Sequence, residues 1–282
     1  MTNILQTWLF ATTSILDWLF GLGVGIALGL TGGGGMLAVP ALVVGLGYSL
    51  QEAVPVALVA ICIAASLGAL DGLKQQLVRY KAAIVMAATG VACAPLGIWL
   101  AQTLPVELLT YAFAVLLALV SLKMLFQSAT DRSSIVKGNS AKKVCKINPE
   151  TGRFLWNRNS FAAFSGIGGV SGVCSGMLGV GGGFVIVPSL RQSSDLSIAS
   201  TVATSLATVA LVSGGTASLI FLQGVGISAN SAFFILAVVG GMLLARSCSA
   251  WLSDFYLHVG FASIATIAAG VMIYQQSQVG GM

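Results

Sequence analysis

Apolar runs long enough to cross a bilayer recur along the whole chain. They lie near residues 6–29, 52–70, 82–101, 106–126, 160–178, 197–221, 228–251 and 255–274. Each has about 17 to 25 residues, the length an α-helix needs to traverse a hydrocarbon core about 30 Å thick. Only 7% of the 282 residues are charged and 57% are hydrophobic, whereas a soluble domain carries about 25% charged residues. Lipid must therefore be the main solvent. In lipid the backbone has to satisfy its own hydrogen bonds, and helices do this within one segment. The expected fold is all-α and polytopic, with about eight transmembrane helices. The first thirty residues contain no Lys or Arg, so the opening run reads as a membrane helix rather than a cleaved secretory signal with its basic leader.

The formal charge of +5 reports topology rather than a nucleic-acid partner. Arg132, Lys137, Lys142, Lys143, Lys146, Arg153 and Arg158 fall in the polar stretch 127–159, and Lys74, Arg79 and Lys81 share another loop. Basic loops stay cytoplasmic, and anionic headgroups attract them secondarily. The five cysteines form no CxxC pair and the single histidine is His258. Neither a metal site nor a cofactor is expected, and the cysteines read as small buried residues.

An internal repeat divides the chain. GLTGGGGMLAVPAL from Gly29 aligns with MLGVGGGFVIVPSL from Met177 at an offset of 148, matching Gly33, Gly34, Gly35 and Pro40 to Gly181, Gly182, Gly183 and Pro188. Residues 1–126 and 160–282 are then two homologous transmembrane halves, and 127–159 is a basic cytoplasmic linker. Consecutive glycines cost a helix about 1 kcal/mol each relative to Ala, so each half should contain a broken helix followed by a short half-helix. Unwound backbone at membrane depth is tolerated only inside protein or beside a cavity. Paired breaks in two halves mark a transporter's binding site, and the amides opening each short helix suit an anion. Close helix packing is the plainer reading, but it needs a small residue every fourth position rather than three in a row. Val at Gly34 or Gly182 should abolish transport, with Ala the milder change.

The halves differ beyond the breaks. Thr201, Thr204, Ser205 and Thr208 share one helical face, where the first half has Pro55, Leu58, Val59 and Cys62. Ser213, Thr216 and Ser218 extend the polar character. These hydroxyls either line the site or bond back to carbonyls of their own helix. Arg191, three residues after Pro188, either draws an anion toward the break or snorkels to a headgroup. Arg246 and Asp254 are a candidate ion pair. Asp17 and Glu52 are candidate proton carriers beside the plainer role of solvated helix-end residues, and His258 reads as interfacial.

With GLTGGGGMLAVP, MLGVGGGFVIVP and the run Ala203 to Leu206 in view, the chain resembles the sulfite exporter TauE/SafE family over nearly its whole length. The resemblance implies a secondary transporter, a permease of the inner membrane for sulfite or an organosulfur anion. A proton or sodium ion is the expected coupling partner. The expected substrate contacts are Gly33, Gly34, Gly35, Gly181, Gly182, Gly183, Thr204, Ser205, Thr208 and Arg191. The first half departs from the pattern, with Ala57, Leu58 and Val59 opposite Ala203, Thr204 and Ser205. A non-transporting assembly or partner-binding factor is the alternative class. An enzyme is not expected, since no HExxH or GxSxG motif sits in a span.

Two topologies fit the short helices. If they turn back within the membrane, each half has four spans and the repeats are parallel. If they cross, each half has five, the repeats are inverted and every basic residue lies inward. Charge favours crossing. Length favours the re-entrant form, which is the expectation here, because eight helical residues cover only about 12 Å.

Overall fold

A computed structural model describes residues 2–131, 157–194, 196–227, 231–248, 266 and 270–271. Among them every element is helical: α1 (Thr2–Thr31), α2 (Gly34–Gly45), α3 (Leu50–Lys74), α4 (Tyr80–Thr103), α5 (Val106–Asp131), α6 (Arg158–Leu178), α7 (Gly183–Ser193), α8 (Ile198–Leu222) and α9 (Ala232–Cys248). The chain is a multi-pass helical membrane protein. The apolar runs from 6–29 through 228–251 fall on α1, α3, α4, α5, α6, α8 and α9, while the run at 255–274 lies largely outside the described residues, as do Asp254, His258 and most of the linker.

Local signals set the helix starts. Ser49 caps α3 by accepting from the Glu52 amide while the Glu52 carboxylate accepts from the Ser49 amide, a reciprocal arrangement that satisfies two otherwise orphaned donors. Glu52 therefore serves as an exposed capping residue. Ser197 caps α8 in the corresponding place. Outward-facing positions are apolar, with Leu119 61% and Trp99 60% exposed, and hydroxyls are inside, with Thr204, Ser205 and Thr208 fully buried. This inside-out distribution is the one lipid imposes, since apolar side chains gain little by hiding from hydrocarbon and helix contacts favour small or polar residues.

Small residues let the helices approach closely. A Cβ on Gly21, Gly25 or Gly29 of α1 would strike Ala237, Val238, Met242 or Ala245 of α9, and one on Gly168, Gly172 or Gly176 of α6 would strike Met86, Gly90 or Ala94 of α4. Both are glycine stripes of four-residue period. Contacts advance together along each pair, so α1 runs parallel to α9 and α6 parallel to α4. At the centre α3 and α8 run antiparallel, with Gly72 against Ala203, Gly68 against Leu206 and Gly214 against Cys62.

Helix directions correct the expected topology. α9 is parallel to α3: Tyr48 meets Ser231 at one end, and Arg246 pairs with Asp71 and donates to the Gly68 carbonyl at the other. Hence α1 and α3 point the same way, and α2 must return the chain between them. Gly34 packs on Ala27 and Leu28 and Gly45 on Phe20, so α2 runs back down α1. The re-entrant expectation is overturned in favour of the crossing one. The objection from length fails because the return is made by residues 32–49, with helix only over Gly34–Gly45. Arg246 has Asp71, at 2.6 Å, as a carboxylate partner; the expected pairing with Asp254 falls outside the described residues.

These directions gather Lys74, Arg79, Lys81, Arg158, Arg191 and Arg246 at one end of the bundle. A single cysteine at Gln76→Cys in the exposed α3–α4 turn is expected to react with an impermeant maleimide only after the cytoplasmic face is opened. Labelling on intact cells would reverse the orientation.

Candidate functional site

The two glycine breaks meet. A Cβ on Gly33 would lie 3.3 Å from the carbonyl oxygen of Gly183, and one on Gly183 would lie 2.8 Å from that of Gly32. Side chains of the central helices close round them: Ile61 of α3 touches Gly35 and Gly181, and Val209 of α8 touches Gly181 and Gly183. All six glycines of the two blocks are buried. Backbone from both glycine blocks thus comes together at the crossing of the antiparallel pair α3 and α8.

The breaks are built differently. Thr31 ends α1 by bonding back to the Ala27 carbonyl at 2.7 Å and accepting from the Gly33 amide at 3.2 Å. The chain then re-enters through a tight turn, with Gly32 at φ +67°. In the second break Gly179, Gly181 and Gly182 all have φ near +70°, a conformation that only glycine adopts without strain. Gly182 caps α7, and Val185 and Ile186 donate to its carbonyl. The Gly183 and Phe184 amides precede those first intrahelical bonds and lie at the positive end of the helix dipole.

Alanine is therefore not mild at either position. A Cβ on Gly34 would collide with the backbone of Ala27 and Leu28, and one on Gly182, at φ +72°, would collide with Ser171. Gly34 is a close-packing residue as well as part of a break.

The predicted hydroxyls have separate places. Ser205 donates to the Gly32 carbonyl at 3.0 Å and so touches the first break. Thr204 accepts the Arg79 amide at 3.0 Å, fixing the start of α4. Thr208 donates to the Thr204 carbonyl and Thr201 to that of Ser197. Arg191 stands in the last turn of α7, eight residues and about 12 Å of helix rise from Gly183. It belongs to the basic end of the bundle, apart from the break. Asp17 is buried in α1.

Sequence reasoning missed Ser171 and Ser175 of α6. Ser175 donates to Thr216 of α8 at 3.4 Å. Ser171 and Ser213, on the same two helices, flank the second break, with Ser213 Oγ 2.5 Å from where a Gly181 Cβ would stand. The signal available was a four-residue spacing of serines on the glycine-rich face of α6.

The family model described as Sulfite exporter TauE/SafE matches residues 18–272. The chain belongs to this family. The match takes in both glycine breaks and every described helix from α2 to α9. This TauE/SafE member is also similar to a protein of Xylella fastidiosa named "Probable membrane transporter protein", with 28% identity over 188 residues, covering 66% of each chain. The aligned region is thus just under two thirds of the relative. No solved structure matches this TauE/SafE member.

Proposed function

We propose that the protein is a secondary transporter of the inner membrane that moves a small anion, sulfite or an organosulfur anion, between two inverted repeats. In this reading residues 1–126 and 160–282 are the repeats and 127–159 is the cytoplasmic linker. The observation that carries it is the meeting of Gly33 with Gly183 between oppositely directed central helices. Backbone that is unwound at depth in both halves is the sequence-level sign of a carrier's binding site. Helix-end amides favour negative charge there without a basic side chain. Family membership and the name of the Xylella relative support the same class.

Alternating access then amounts to rocking α3 with its partners against α8 with its partners, opening the glycine contact to one side at a time. A proton or sodium ion is the coupling partner. Of the hydroxyls on α8, Ser205 has the most direct claim on the substrate route because it already touches Gly32. The test is flux of labelled sulfite, thiosulfate and sulfoacetate in proteoliposomes, with and without a proton gradient. Protein-dependent flux of at least one of them is expected. Absence of flux for all three, under proton and sodium gradients alike and with monodisperse protein, would overturn the proposal.

A further inference from the structure

The α6–α8 interface holds four hydroxyl side chains in two neighbouring layers. In one layer Ser175 bonds to Thr216, which itself donates to the Val212 carbonyl at 2.8 Å. In the other, Ser171 and Ser213 are fully buried and neither hydroxyl has a hydrogen-bond partner among the described residues. The reason is steric: the second break passes between them, with Gly182 against Ser171 and Gly181 against Ser213. A buried hydroxyl left unpaired costs about 1–3 kcal/mol, so two at one place call for an occupant in some state of the protein.

We infer that Ser171 and Ser213, with the Gly183 and Phe184 amides that open α7, form a subsite for a small oxyanion at the second glycine break. This rests on the transport reading above and assigns its binding groups. Four donors converge here, two hydroxyls and the first amides of an eleven-residue helix, beside the Ser171 and Gly32 carbonyls, the latter already accepting from Ser205. Among the described residues the side chains nearest the break are Val54, Ile61, Ser171, Val209 and Ser213, none of them a carboxylate. An anion with several acceptor oxygens can accept a hydrogen bond from each donor at once, which a halide satisfies less well.

The subsite belongs to one half only. At the offset of 147 that aligns Gly21, Gly25 and Gly29 with Gly168, Gly172 and Gly176, Ser171 corresponds to Val24, and at the offset of 146 Ser213 corresponds to Leu67. The substrate is therefore held by the second half as the bundle rocks, and the first half supplies apolar cover.

Ser171→Ala and Ser213→Ala separate binding from structure because the two roles predict opposite signs. Removing an unpaired buried hydroxyl should leave thermal stability unchanged or raise it. Losing a hydrogen bond to an anion should weaken binding about 10-fold or more. Sulfite KM in proteoliposomes, sulfite affinity of the purified chain and its melting temperature are measured together. Ser165→Ala removes another unpartnered hydroxyl of α6 that does not meet the break, and its KM should match wild type. Raised KM in both variants with undiminished stability supports the subsite. Unchanged KM in both, lowered stability, or a lost sodium requirement at constant sulfite KM would overturn it. If the wild type itself moves no anion, the transport reading fails rather than this assignment of residues.

Discussion

Alanine at Gly182 or Gly34 is expected to abolish transport, with losses of about 100-fold or more when flux is normalised to protein in the membrane. At Gly182 a side chain meets two obstacles: φ is +72°, and Ser171 occupies the space a Cβ needs. A left-handed backbone costs about 1–2 kcal/mol for a non-glycine residue, and displacing α6 adds the penalty of an overpacked core, typically about 1–3 kcal/mol. At Gly34 the obstacle is the backbone of α1, which has no rotamer to move away. Gly47 is the control, because it shares a positive φ of +73° but a Cβ there would meet nothing within 4 Å. Gly47→Ala should transport at a rate within a few-fold of wild type. If Gly182→Ala and Gly34→Ala behave like Gly47→Ala, the breaks are not closely packed and the geometry described here is wrong.

The second large effect concerns Thr204, where the structure changes what the sequence leads one to expect. From α8 its hydroxyl oxygen accepts the amide of Arg79 at the end of the α3–α4 turn, so Thr204→Val leaves that amide without a partner. A loss of about 1–3 kcal/mol in stability is expected, seen as a lower melting temperature and a smaller monodisperse yield. Surviving protein should keep its affinity for the anion. Ser205→Ala should do the reverse in part: it frees the Gly32 carbonyl and lowers the transport rate, with a smaller effect on yield. A raised KM for Thr204→Val at undiminished stability would return Thr204 to the binding site.

How far the fold could be read in advance follows from the physics of each feature. Spans and breaks are legible because lipid requires long apolar helices and because three glycines in a row have few other uses. The direction of α2 is not, since it depends on how α1 packs against α9 and how Arg246 reaches Asp71, contacts between residues more than 170 positions apart. Charge distribution pointed to the right topology, but helix length argued more persuasively than it should have, because a return across the bundle need not be helical throughout. The site shows the same division. Gly33 and Gly183 were legible as break residues, whereas their meeting was a matter of tertiary packing. Thr204 looked like Ser205 in sequence, and only its position opposite the α4 start separates them. Ser171 was hidden among the glycines of α6, where a serine reads as one more small residue.

The proposed route of the anion passes where the two glycine breaks meet. Val209 touches both Gly181 and Gly183, so Val209→Cys in a cysteine-free background places a reporter there. The decisive measurement is the rate at which this thiol reacts with a small charged thiosulfonate reagent, with and without the transported anion. Slow modification is expected, slowed further by the anion, with half-protection at a concentration close to the transport KM. A modification rate that no transported anion alters would contradict it and place the route elsewhere in the bundle.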